Sequence, residues 1–140
     1  MKHARVVYQH QVFEATERDG QLLLADGRCV AFTDVQWLPP LAPTALPRTV
    51  LALGLNYADH AKELAFKPPS EPLAFVKGEV SFMGHDQHTL RPREVSFMHY
   101  ECELAVVIGR SAKRVKAADA YDFVAGYAVA NDFAIRDHLE

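Results

Sequence analysis

The residues that could do chemistry fall into two groups. The first is acidic. Glu101 and Glu103 flank Cys102 at the head of the apolar run Leu104 to Ile108, and Asp132 follows a second apolar run that closes with Asn131. In an extended strand, side chains two apart point to the same face, roughly 7 Å apart along the backbone. Glu101 and Glu103 therefore share a face, and Cys102 takes the other. Two carboxylates at about 6 Å repel by roughly 3 kcal/mol at an effective dielectric near ~20, a cost that water or a cation must offset. Three carboxylates suit a hard divalent ion such as Mg²⁺ or Mn²⁺, which takes oxygen ligands and keeps positions open for water or a chelating substrate. On spacing alone, three solvated strand ends are the commoner origin of such a set.

The second group is His60 with Glu63, three apart in a segment with helical character, so that both fall on one face. A carboxylate bonded to one imidazole nitrogen fixes the tautomer and leaves the other nitrogen to move a proton or activate water. A surface ion pair is the commoner origin of such a pattern. Lys77 and Arg136 each stand near the end of an apolar element and are candidates for gripping substrate carboxylates, with a solvated charge as the default for either. His85 and His88 lack a third ligand or cysteines at metal-site spacing, which argues against zinc. Cys102 alternates away from the glutamates with no base beside it, and reads as core and not as a nucleophile.

The elements that must position these groups are mostly strands. From Ala4 to Phe32, short apolar stretches are broken by Asp19-Gly20 and Asp26-Gly27, which favour tight hairpins. The pattern predicts strands over Arg5–Gln9, Val12–Thr16, Gln21–Leu24 and Arg28–Phe32, forming a small antiparallel meander. Trp37 then precedes Pro39, Pro40, Pro43 and Pro47, a stiff stretch that cannot continue a sheet interior. This predicts a small β region and linker over 1–47 and a larger domain over 48–140, with Trp37 as a clamp between the two. Within the larger domain the expected elements are a buried strand from Thr49 to Gly54, a short helix from Tyr57 to Leu64 capped by Asn56, and a strand from Leu73 to Lys77. A long loop follows over 78–98, then the buried strand headed by the glutamates, a helical segment from Ala117 to Val124, and a strand from Tyr127 to Ala130.

Bulk properties narrow the function classes. The chain has 140 residues, is 49% hydrophobic and 24% charged, and carries a net charge of −3, an ordinary balance for a globular protein with no basic field for nucleic acid. No apolar run reaches the about 18 residues that span a membrane, and the N-terminus leads into a strand pattern and not a signal peptide, so the expected location is cytoplasmic. Cys29 and Cys102 do not make a disulfide framework.

Four ordered blocks carry a resemblance: Gly54-Leu55-Asn56-Tyr57-x-x-His60-x-x-Glu63; Pro72-x-x-Phe75-x-Lys77; Tyr100-Glu101-x-Glu103-Leu104-Ala105-x-Val107-Ile108-Gly109; and Gly126-Tyr127-x-Val129-x-Asn131-Asp132-x-x-x-Arg136-Asp137. Together they resemble the fumarylacetoacetate hydrolase family. The resemblance implies a mixed, β-rich α+β fold, a β-roll preceded by a small N-terminal β region, which is expected to continue beyond Glu140. It implies Glu101, Glu103 and Asp132 as ligands of Mg²⁺ or Mn²⁺, His60 and Glu63 as an acid/base dyad, and a homodimer acting on a small 2-oxo acid, with Lys77 and Arg136 kept as the candidates for binding its remote carboxylates. Within the family, residues 129–140 look most like the enzymes of homoprotocatechuate (4-hydroxyphenylacetate) breakdown, which implies a lyase/isomerase that decarboxylates an unsaturated 2-oxo diacid, interconverts its enol and keto forms, or both. A hydrolase of acylpyruvates, and a non-catalytic half or subunit of a larger assembly, are the alternatives. One departure stands out: Leu139 occupies a position where many relatives carry glutamine.

Overall fold

The structure is a computed structural model that describes residues 1–40, 49–57, 59 and 69–135. It divides into two compact units, Met1–Gln87 and His88–Glu140. The predicted helix from Tyr57 to Leu64 falls largely outside the described residues.

The first unit opens with five strands: β1 (His3–Tyr8), β2 (Gln11–Arg18), β3 (Gln21–Leu24), β4 (Cys29–Val30) and β5 (Gln36–Leu38). They form one antiparallel sheet in the order β4-β3-β2-β1-β5. Asp19-Gly20 makes the hairpin that its sequence predicts, both residues having positive φ (52° and 80°), the twist a two-residue loop needs to return a strand on itself. The first hairpin differs from expectation. Gln9 was expected inside a strand, yet Gln9 and His10 form the turn at φ 48° and 65°. Neither residue favours that region, and the six rungs from His3↔Thr16 to Tyr8↔Gln11 hold them there. Val6, Ala15, Leu22, Leu24 and Val30 are buried, with Tyr8, Phe13, Val35 and Trp37 packed around them. Over the sheet, Arg28 lies 5.1 Å from the ring of Tyr8 and 5.2 Å from that of Phe13. Its guanidinium hydrogen-bonds to Asp26 at 2.6 and 2.8 Å and holds that carboxyl below its ordinary value of 3.8.

The fifth strand is absent from the sequence reading because it is three residues long and stands next to a proline run. Trp37 lies within it and does reach a later segment. Its ring meets His85 edge-on at 5.4 Å, and its carbonyl accepts from Gln87 Nε2 at 3.2 Å while Gln87 Oε1 accepts from Gly84 N–H at 3.2 Å. Gly84 fits because it has no side chain; a Cβ there would overlap the carbonyl of Trp37, which is backbone and cannot swing aside. Gly84→Ala is therefore expected to break the Gln87 clasp and cost about 1–3 kcal/mol, read as a lower urea midpoint with unchanged m-value. An unshifted midpoint would mean the loop relaxes freely.

The unit closes with β6 (Val50–Gly54) and β7 (Leu73–Lys77), antiparallel from Val50↔Lys77 to Gly54↔Leu73. The strand over Val50–Gly54 was expected to be buried. Instead Leu51 and Leu53 are exposed, with Val76 opposite Leu51 on the same face.

The described strands of the second unit form two antiparallel pairs that follow one another. β9 (Cys102–Ile108) pairs antiparallel with β10 (Val124–Asn131), and β8 (Met98–His99) pairs antiparallel with β11 (Ala134–Ile135). The last rung of one pair is Asn131↔Cys102 and the first of the other is Ala134↔His99. Tyr100 and Glu101 on one side face Asp132 and Phe133 on the other, so the register is unchanged across the gap and no residue is inserted. The predicted helical segment is a short 3-10 helix, Ala117–Phe123, and Gly109 N–H donates to the Phe123 carbonyl at 2.8 Å where the chain re-enters the sheet.

Here too burial departs from expectation. β9 was expected to be covered, and it alternates between exposed and half-buried positions with none fully buried. Leu104 (59% exposed), Val106, Ile108, Tyr127 and Val129 (81% exposed) make an apolar row on one face. Cys102, expected in the core, is exposed on that same face. The physical reason is common to both units. A two-stranded ribbon has two broad faces, and apolar alternation signals that a face calls for cover without saying what supplies it. No helix of the described residues is long and apolar enough to cross a membrane.

Candidate functional site

Unbroken register fixes which side chains share the other face of the ladder. His99, Glu103, Ala105 and Val107 pair with Ala134, Ala130, Ala128 and Gly126, and Glu101 and Asp132, joined by one backbone hydrogen bond, hold the matching positions in the gap between the two pairs. Glu101, Glu103 and Asp132 are half-buried. Apart from His99 and Val107, the other positions on this face carry nothing larger than a methyl group. Directly opposite residues in an antiparallel pair bring their Cβ atoms to about 5 Å, and diagonal ones to about 7–8 Å. Asp132 is thus the near neighbour of Glu101 and the diagonal neighbour of Glu103. The sequence expectation that Glu101 and Glu103 face one way and Cys102 the other holds in this register.

The rung carrying Glu101 and Asp132 has its own hydrogen bonding. Asp132 N–H donates to the Glu101 carbonyl at 2.8 Å, as in a regular ladder. Glu101 N–H, however, donates at 3.0 Å to the side-chain Oδ1 of Asn131. His99 Nδ1 lies 4.0 Å from Glu101 Oε1, and the His99 ring packs edge-on against Phe97 at 4.8 Å. Sequence reasoning missed Asn131 and His99 as members of the site. The signal for Asn131 was an Asn-Asp pair at a strand end, since a short amide side chain commonly bonds a nearby backbone group.

The remaining candidates are placed as follows. Lys77 ends β7 in the first unit, half-buried, with Nζ 5.7 Å from the Phe75 ring two residues back on the same face. His60, Glu63 and Arg136 lie outside the described residues. Glu101, Glu103 and Asp132 are all described, and among the described residues no three His, Cys, Asp or Glu side chains group closely enough to hold a metal ion. The three candidate ligands are carboxylates, with the His99 imidazole beside Glu101 on the same face and the thiol of Cys102 on the other, a donor chemistry that fits a hard divalent ion better than a thiophilic one.

Residues 49–140 match the family described as fumarylacetoacetate (FAA) hydrolase, C-terminal. The chain belongs to the fumarylacetoacetate hydrolase family. Among its family relatives is the 4-hydroxyphenylacetate degradation bifunctional isomerase/decarboxylase of Salmonella dublin, 57% identical over 98 residues, covering 70% of this chain and 23% of that protein. Among solved structures of this fold, the 5-carboxymethyl-2-hydroxymuconate delta-isomerase of Mycobacterium smegmatis is 34% identical with a TM-score of 0.79, covering 98% of this chain and 56% of that one. The 2-hydroxyhepta-2,4-diene-1,7-dioate isomerase of Mycobacterium marinum is 28% identical with a TM-score of 0.76, covering 98% of this chain and 56% of that one. The strand-dominated fold with few helices is that of these family isomerases, and the chain spans a little over half of each solved relative and about a quarter of the Salmonella protein.

Proposed function

We propose that this chain carries the metal-binding and acid/base part of a divalent-metal-dependent decarboxylase/isomerase acting on an unsaturated 2-oxo diacid of 4-hydroxyphenylacetate (homoprotocatechuate) breakdown. The observation that carries the reading is the rung placing Glu101 opposite Asp132 with Glu103 on the same face, in a chain related to the Salmonella isomerase/decarboxylase. Two facing carboxylates repel unless something positive lies between or beside them. Glu101, Glu103 and Asp132 would hold Mg²⁺ or Mn²⁺. When bound, that ion supplies Lewis-acid polarisation to a substrate carboxylate and its adjacent 2-oxo group, and offsets negative charge that grows there as CO₂ leaves.

The protein's own residues do the rest. His60, oriented by Glu63, moves the proton that converts enol to ketone. Lys77 and Arg136 grip the carboxylates remote from the reacting carbon, which fixes which end of the diacid meets the carboxylate rung.

Removal of divalent ions with a chelator is expected to abolish CO₂ release and enol–keto conversion, and return of Mg²⁺ or Mn²⁺ to restore both. Activity that survives chelation, or that neither ion restores, would overturn the metal-dependent reading. Product analysis on the same samples separates the reaction classes: CO₂ with one organic product supports the decarboxylase, and two organic acids would make the protein a hydrolase.

A further inference from the structure

We infer that Asn131 is a positioning residue, whose side chain sets the backbone of Glu101 and thereby the alignment of Glu101 with Asp132. The inference rests on the reading of Glu101, Glu103 and Asp132 as metal ligands.

In a hydrogen-bonded antiparallel pair, two facing residues exchange both backbone bonds. Asp132 gives its half of that exchange, N–H to the Glu101 carbonyl at 2.8 Å. The other half is diverted, with Glu101 N–H donating to Asn131 Oδ1 at 3.0 Å. Only an acceptor can take that bond, so the amide oxygen, and not the nitrogen, faces Glu101. Asn131 is itself the last residue of β10, paired with Cys102. Its backbone therefore ends the regular ladder, and its side chain reaches one step further to stand in for the carbonyl of the next residue.

That substitution has a consequence for the chain path. Ladder pairing resumes at Ala134↔His99 in the same register. Nothing in the residue count prevents the strands from zipping continuously from Met98 to Val107. Asn131 keeps the strands together at the Glu101 rung while taking over one of its two backbone bonds. Asp132 and Phe133 lie in the gap between the two pairs, at the position where one candidate ligand must face another. An aliphatic side chain of the same size leaves Glu101 N–H to water or to Asp132, and the rung either frays or zips; in both cases the two carboxylates lose their relative placement.

Asn131→Leu keeps the size and removes the acceptor, and Asn131→Asp keeps the size and the acceptor. Both are titrated with Mn²⁺ as the full chain, free Mn²⁺ being read by electron paramagnetic resonance, and compared with the unmutated protein and with Glu101→Gln. Residues that orient a metal ligand typically carry about 10- to 100-fold in metal affinity. Asn131→Leu is expected to lose affinity in that range, and Asn131→Asp to retain most of it. If Asn131→Leu binds Mn²⁺ as the unmutated protein does, or if Asn131→Asp loses as much as Asn131→Leu, the positioning role is overturned and the metal reading stands. If the unmutated protein does not bind Mn²⁺, the metal reading falls and takes the inference with it. Should Asn131→Leu not fold, amide hydrogen exchange decides the matter. A Glu101 amide protected in the unmutated protein and in Asn131→Asp supports the bond, and one that exchanges as in an unstructured peptide overturns it.

Discussion

Replacing Glu101 with glutamine is expected to lower kcat/KM for CO₂ release by about 10³-fold, equivalent to roughly 4 kcal/mol of lost charge stabilisation, while leaving the fold intact. The two outcomes separate because the structure divides the residue's work. Its backbone holds the rung, through its carbonyl to Asp132 N–H and its N–H to Asn131 Oδ1, and neither bond involves the carboxylate. Glutamine keeps size and backbone and removes only charge. In metal-free protein the substitution removes a charge that has Asp132 across from it and the His99 imidazole 4.0 Å away, so its effects on stability oppose each other. The variant should therefore unfold at a urea concentration close to that of the unmutated chain while its activity falls. A variant that loses stability along with activity would mean the carboxylate is structural.

The second large effect falls on the proton. His60→Asn is expected to slow enol–keto conversion by about 10²–10⁴-fold, the range over which a positioned general acid/base contributes. Its Mn²⁺ affinity should match that of the unmutated protein, because the dyad is proposed to act on substrate and not on the ion. Glu63→Gln should give a smaller loss in the same step. The double substitution should cost little more than His60→Asn alone, since residues that act as a unit are not additive. Ultraviolet absorbance of the conjugated enol follows the rate. If the four rates multiply independently, or if His60→Asn also abolishes Mn²⁺ binding, the two residues are not a dyad of the kind proposed.

Much of this protein is written in local sequence pattern. Asp19-Gly20 gives its hairpin because the turn needs two residues at positive φ, a demand met within the dipeptide itself. The alternation of Glu101, Cys102 and Glu103 settles which of them share a face, because side-chain direction in a strand has a period of two and needs no partner to define it. The ordered blocks from Gly54 to Asp137 are also linear, and they carried the family. What the tertiary structure decided is of another kind. The short strand Gln36–Leu38 exists because β1 offers it an edge, with Trp37 opposite Val6. The exposure of Cys102 and of the row from Leu104 to Ile108 depends on which layers lie against the ladder, and a hydrophobic residue does not encode its own cover. The gap at the site is the clearest instance. Nothing local distinguishes Glu101 from the strand that follows it. Only the pairing of residues some thirty positions apart shows that Glu101 faces Asp132 across a rung whose second bond Asn131 supplies. Strand periodicity is a property of one chain segment; register belongs to two, and that is why the faces of Glu101, Cys102 and Glu103 could be read from the sequence while the facing of Glu101 and Asp132 could not.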